Sequence, residues 1–133
     1  MEKINIAAKF DLFAEHWRPR VIAAVNSQEI KVVKVKGQFP WHHHDNEDEF
    51  FLVWRGRFRV EFRDQIVALG PCEYIVVPKG IEHRTGADEE AEVICFEPEG
   101  FKYRQRFRRY LYGSARCHDL TDRIRHAGYR NSS

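Results

Sequence analysis

An all-β fold, a small barrel or sandwich of short strands, is predicted by three observations. Runs rich in β-branched and aromatic residues recur between positions 21 and 96, separated by turn-forming residues at close intervals. Arg57-Phe58-Arg59-Val60-Glu61-Phe62 alternates polar and apolar side chains, as a half-buried strand does. A chain of 133 residues, 43% hydrophobic and 14% aromatic, builds one modest core and is unlike a disordered chain.

Residues before position 20 read as one short helix or a capping arm. Val21–Val25 and Ile30–Val35 follow as β-branched strands, then Glu49–Trp54 and Phe58–Phe62. Arg63-Asp64-Gln65 is a hairpin turn into the strand ending at Leu69, and Tyr74–Val77 and Glu92–Phe96 complete the set. Residues 1–100 form the domain, and 101–133 form a separate basic tail.

Chemistry concentrates in residues 42–49, His-His-His-Asp-Asn-Glu-Asp-Glu, and in His83 after a Pro-Lys-Gly turn. On a strand, His42 and His44 point to one face and His43 to the other. Glu49 opens the next strand and shares its face with Phe51 and Val53, leaving Phe50, Leu52 and Trp54 for a second sheet, the N-terminal arm or a partner subunit. Imidazoles plus one carboxylate suit a borderline divalent metal better than calcium or magnesium. The competing reading is a solvated polar loop; the internal position of the run argues against a purification tag.

Gly37, His42, His44, Glu49 and Gly56 form G-x4-H-x-H-x4-E-x6-G, which resembles the first motif of the cupins. Pro78 to His83 resembles their second motif, P-x-G-x2-H. Across roughly residues 3–99 the chain is similar to small single-domain cupins, including Lys3-Ile4-Asn5, Glu15-His16-Trp17-Arg18-Pro19 and Trp41-His42. The resemblance implies a double-stranded β-helix with His42, His44, Glu49 and His83 as ligands of a divalent ion (iron, manganese, nickel or zinc) facing into the barrel. It also implies a small-molecule ligand and a homodimer. Three positions depart from the pattern. One residue fewer separates Gly37 from His42, Cys72 stands where the second motif starts with glycine, and Ala87 where it ends with asparagine.

Cupins include dioxygenases, isomerases, decarboxylases and plain binding proteins, so the fold leaves the reaction open. Asp48, Glu47 and His43 are acid–base candidates by position, but an outward direction or loop location assigns none a catalytic role. Phe58, Val60 and Phe62 are pocket or core candidates. Trp41 reads more readily as a core aromatic than as a pocket wall, and Arg84 and Thr85 more readily as surface residues than as substrate contacts. With few inward basic residues in view, the pocket suits a small apolar or enol-like substrate. A non-catalytic module is the alternative; a stand-alone regulator lacks a helix-turn-helix pattern in residues 1–100.

No apolar run nears the ~20 residues that span a bilayer, and no signal-like stretch opens the chain, so the expectation is cytoplasmic. Cys72, Cys95 and Cys117 lack paired spacing and read as free thiols, Cys95 as a core residue. His16, His118 and His126 lie outside both motifs.

Residues 101–133 carry nine Lys or Arg against two acids, a net of +7, while residues 1–100 carry thirteen against eighteen, a net of −5. Three readings of this tail stand open: a binder of nucleic acid or another acidic surface, an appendage packing its aromatics on the barrel, and an out-of-frame extension arising near Phe101. Similar small cupins continue with Asn-Thr-Gly. Lys102-Tyr103-Arg104-Gln105-Arg106 can be encoded AAA TAC CGG CAA CGT, and with the T of the next codon a shift of one base gives Asn-Thr-Gly-Asn-Val. The nucleotide sequence decides the third reading. If it holds, the charge of the tail implies no partner, and nucleic acid is not expected.

Overall fold

A computed structural model describes residues 1–99, and the tail lies outside the described residues. One short helix, α1 (Ile6–Phe10), precedes seven strands: β1 (Arg20–Val25), β2 (Gln28–Gln38), β3 (Glu49–Arg55), β4 (Phe58–Glu61), β5 (Ile66–Leu69), β6 (Tyr74–Val77) and β7 (Arg84–Pro98). All strand pairings are antiparallel. The sequence placed the strands correctly but cut β2 and β7 short. The polar Gln28 and Glu29 and the Arg84–Ala91 stretch look like loop, yet Gln28 and Glu29 pair with Pro98 and Glu97, Gly86, Ala87 and Ala91 pair with β2, and Arg84 and Thr85 pair with β4.

β7 organises the molecule. Along one edge it pairs with β2 over nearly its whole length. Along the other, Arg84–Gly86 pair with β4, and the stretch from Glu92 to Phe96 pairs with β3. One strand thus joins the path β1-β2-β7-β3-β6 to the β4–β5 hairpin within a single seven-stranded sheet. The change of partner falls near the register shift between Val35 and Gly37, where Gly37 adopts φ +84°. A bulge increases local bend and twist, which allows a long strand to curl around a barrel.

Side-chain alternation fills the interior. Val33 and Val35 of β2, Phe51 and Val53 of β3, Phe58 and Val60 of β4, and Ala91, Val93 and Cys95 of β7 form the inner core. Enclosing a side chain as completely as Val60 or Val93 stabilises the fold by about 1.5–3 kcal/mol. Burial holds the Cys95 thiol well above its ordinary pKa, as a structural cysteine requires.

Outside the barrel, Val32 and Ile94 meet Phe10 of α1, with Ile22, Ile30 and Leu52 packed beside them. Asn5 caps this helix, its Oδ1 accepting from Ala8 N at 2.9 Å. Five residues cannot sustain a helix alone, so the buried Phe10 ring holds it in place. Leu52 is therefore covered by the arm, one of the destinations expected for it. No helix among the described residues is long and apolar enough to cross a membrane.

Two local departures have physical causes. Gly56 sits at φ +83°, and a Cβ there would lie 2.9 Å from the Glu90 carbonyl oxygen, so the β3–β4 turn accepts only glycine. Cys72 adopts φ +68° although it has a side chain, while its N–H donates to Val53 O at 2.9 Å. The left-handed conformation costs a non-glycine residue about 1–2 kcal/mol. Glycine's greater freedom in the unfolded chain offsets part of that. Cys72→Gly is accordingly expected to stabilise the protein by about 0.5–1 kcal/mol, read as a higher urea midpoint at unchanged m. An unchanged or lower midpoint would show that the turn carries no strain.

Candidate functional site

The two motifs are stitched together through the main chain. His42 N donates to His83 O and His83 N to His42 O, both at 2.9 Å, so the two residues form an isolated bridge and their rings lie 4.4 Å apart. Gly80 N donates to His44 O at 2.7 Å, and Lys79 N to Asp48 Oδ1 at 2.8 Å. Pro78-Lys79-Gly80 thereby holds the loop 43–48 against the barrel mouth. His42 and His44 lie outside the named strands, so their convergence comes from these loop contacts and not from strand alternation.

Glu49, the first residue of β3, sits among the imidazoles and is 2% exposed. His44 Nε2 lies 2.7 Å from Glu49 Oε1, His83 Nε2 2.7 Å from Oε2, and His42 Nε2 3.9 Å from Oε2. The Nδ1 atoms of His42 and His83 donate to Pro40 O and Ile81 O, each at 2.8 Å. Those bonds fix the rings and turn both Nε2 atoms toward the carboxylate. Potential ligand atoms of His42, His44 and Glu49 all lie within 4.8 Å of one another; His83 falls outside that group and joins it through Glu49.

Charge is distributed unevenly here. Burial pushes His42 down to about 4, against the raising effects of its bond to Pro40 O and of Glu49. Burial alone would raise Glu49, but hydrogen bonds from His44 and His83 outweigh it and hold the carboxyl at about 2. Burial pushes His83 down most strongly, but its bond to Glu49, its bond to Ile81 O and the charge of Glu49 together outweigh that, for a net rise.

Around this set, Phe39 packs edge-on against His42 with ring centroids at 5.1 Å, Trp17 lies 5.1 Å from Phe39, and Phe62 lies 6.3 Å from His83. His43 points away, exposed and 3.0 Å from Asp45, as alternation suggested. Trp41 is half-buried and lies outside the core clusters. The guanidinium carbons of Arg63 and Arg84 lie over its ring, 3.8 and 4.9 Å from the centroid, and cation–π attraction favours that packing. Arg84 also bonds Glu61, while Thr85 is buried. Of the acid–base candidates, Asp48 is engaged by the Lys79 amide. His16, outside both motifs, pairs with Glu90 at 2.7 Å.

The sequence reading missed one feature. Lys31 and Glu97 are both buried, with Lys31 Nζ donating to Glu97 Oε2 at 2.7 Å. Lys31 shares parity with the inner residues Val33 and Val35, and Glu97 with Val93 and Cys95. The expectation of a pocket poor in inward basic groups therefore overlooked Lys31. Counting alternate residues back from Val35 would have found it, whereas lysine's usual place at the surface hides it.

The chain matches the family described by a Cupin domain over residues 30–97, and it belongs to that family. It is 47% identical to a cupin-2 domain protein from Shewanella frigidimarina, with a TM-score of 0.71 over 71% of this chain and 93% of the other. Protein NMB1881 from Neisseria meningitidis is 26% identical, with a TM-score of 0.67 over 73% of this chain and 99% of its own. The uncharacterized protein YdbB of Bacillus subtilis is 32% identical over 77 residues, covering 57% of this chain and 68% of YdbB.

The ionisation pattern sets the acid response of the metal-free protein. His42 titrates at about 4 when folded and near 6.5 when unfolded, so the unfolded chain binds more protons in that window and stability falls as pH drops through it. Glu49, held at about 2 against an ordinary 4.5, adds a further loss below 4.5. His83 has the opposite sign: its contribution is present below its ordinary value and fades only as pH rises through the raised one. Thermal melts of chelator-treated protein are expected to show Tm declining from pH 6.5 toward 4, as the unfolding free energy falls by up to about 1.4 kcal/mol per pH unit. His42→Asn should flatten that decline; an equal slope in the variant would refute the assignment.

Proposed function

We propose that this cupin binds a divalent metal through His42, His44, Glu49 and His83 and takes a small-molecule ligand beside it. One observation carries the reading: the buried Glu49 carboxylate has two imidazole Nε2 atoms at 2.7 Å and a third at 3.9 Å. Nitrogen and carboxylate donors of this kind suit iron, manganese, nickel or zinc. When bound, such an ion would polarise an oxygen of the ligand or support oxygen chemistry, which makes oxygenase or isomerase activity the leading enzymatic reading. Trp17, Phe39, Phe51 and Phe62 supply apolar surface near the set, and the main-chain bonds to His42 and His83 hold its geometry.

A second reading, a non-catalytic binding module, is favoured by the state of the nearby acids and bases. Asp48 is held by a main-chain amide and His43 faces outward toward Asp45, which leaves neither placed as a general base. Dioxygen uptake by iron-loaded protein across a panel of catechols and enols separates the readings. Turnover supports the enzyme, and ligand binding without turnover supports the module.

Elemental analysis of untagged protein is expected to find one of these metals near one per chain. His42→Ala and His83→Ala should each lower occupancy at least tenfold, with more metal lost at acid pH because the ligands bind deprotonated. Full occupancy in His83→Ala would remove His83 from the set, and a wild-type protein that takes up no metal after reconstitution would end the proposal.

The proposal includes a homodimer formed through the outer face of β3, β6 and β7. Phe50 stacks on Phe96 at 4.7 Å and on Tyr74 at 5.4 Å, and Tyr74, Val76 and Phe96 are exposed large hydrophobics on that face. Sedimentation is expected to give a dimer for the wild type and a monomer for Tyr74→Glu. A monomeric wild type would remove the dimer from the proposal.

A further inference from the structure

The Lys31–Glu97 pair is buried in the barrel wall, and its place in the strand ladder relates it to the His–Glu set. β7 lies between β2 and β3. Lys31 is registered with Cys95, and Cys95 with Phe51, so these three occupy one row of the inner face. One step toward the mouth on that face are Glu97 on β7 and Glu49 on β3, neighbours across the ladder because Phe50 pairs with Phe96. The buried Cys95 thiol lies in the field of Glu97, Glu49 and Lys31 together, in keeping with this layer.

As a purely structural device the pair is a poor choice. Taking an ammonium and a carboxylate out of water costs several kcal/mol per ion in general, and apolar residues of similar volume usually do as well or better. Its chemistry suits recognition. Glu97 accepts a hydrogen bond from the Lys31 ammonium and holds it in place, and an ammonium carries three donors. Together with the proposed divalent ion, one ammonium and the two carboxylates leave the pocket one positive charge, which matches a singly charged anion.

We propose that Lys31, positioned by Glu97, is the anion-recognition group of the pocket. The ligand class is then a small monocarboxylate, its acid group at Lys31 and a second oxygen function directed to the His–Glu set. Both parts rest on the metal reading: the ion completes that charge balance and takes the second oxygen.

The test is calorimetric titration of the full chain, as purified and after chelator treatment, with levulinate and hydroxyphenylacetate and with their neutral methyl esters. Wild-type protein is expected to prefer at least one acid over its ester by about tenfold or more, as a charge-assisted contact in a shielded site gives. Lys31→Met should erase that preference while metal content stays at the wild-type level. Should Lys31→Met fail to fold with Glu97 left buried, the double variant Lys31→Met/Glu97→Leu removes both charges and gives the same readout. An acid preference that survives in a folded variant would overturn the proposal, as would a wild type that prefers neither acid. A wild type that holds no metal before chelation or after reconstitution would sink the metal reading itself.

Discussion

The two main-chain hydrogen bonds between His42 and His83 are the constraint on which the rest of the site depends. They join residues far apart in sequence, bring both imidazoles to one side of the barrel and fix where the preceding turn meets the loop 43–48. Once that bridge exists, Glu49 has little choice of partner. A carboxylate so deeply buried would otherwise be protonated, and the histidines keep it ionised far below its ordinary value. Fold and site are thus coupled through electrostatics as well as through position.

Much of this was legible in the chain. The strand Phe58–Glu61 alternates cleanly enough for period-two reasoning, and the β-branched and aromatic runs Glu49–Arg55 and Tyr74–Val77 stand out by composition. The spacing of His42, His44, Glu49 and His83 pointed to a shared site, and their atoms do converge. The reason given for that convergence was wrong, however. No ladder runs through residues 43–48, and tertiary hydrogen bonds from Lys79 and Gly80 shape that loop. Local pattern reports what a segment would do alone, and a loop moulded by a distant turn escapes it.

The ends of β2 and β7 were hidden for a related reason. Glu89 and Glu90 are exposed and highly charged, the composition of a loop, yet they lie in a strand because partners on both sides claim its ends. Trp41 shows the same limit. An aromatic beside a motif invites a core or pocket role, while the structure sets it beneath two guanidinium groups. Lys31 is the converse, a charged residue whose inward direction follows from strand parity and whose tolerance there follows from one carboxylate, Glu97.

The double use of β7 also governs how the molecule comes into being. Three of the other six strands wait for this late partner: β2 closes along most of it, β3 on its second half and β4 on its first residues, while His42 closes on the residue just before it. Such long-range pairing raises contact order and slows folding relative to a helical domain of equal size. During synthesis the first sheets have no filled edge until residues 84–98 have left the ribosome. A nascent chain stopped earlier presents unpaired strand edges together with the apolar inner face. Those edges are open to pairing with other chains, which makes the interval before β7 emerges the period of greatest aggregation risk.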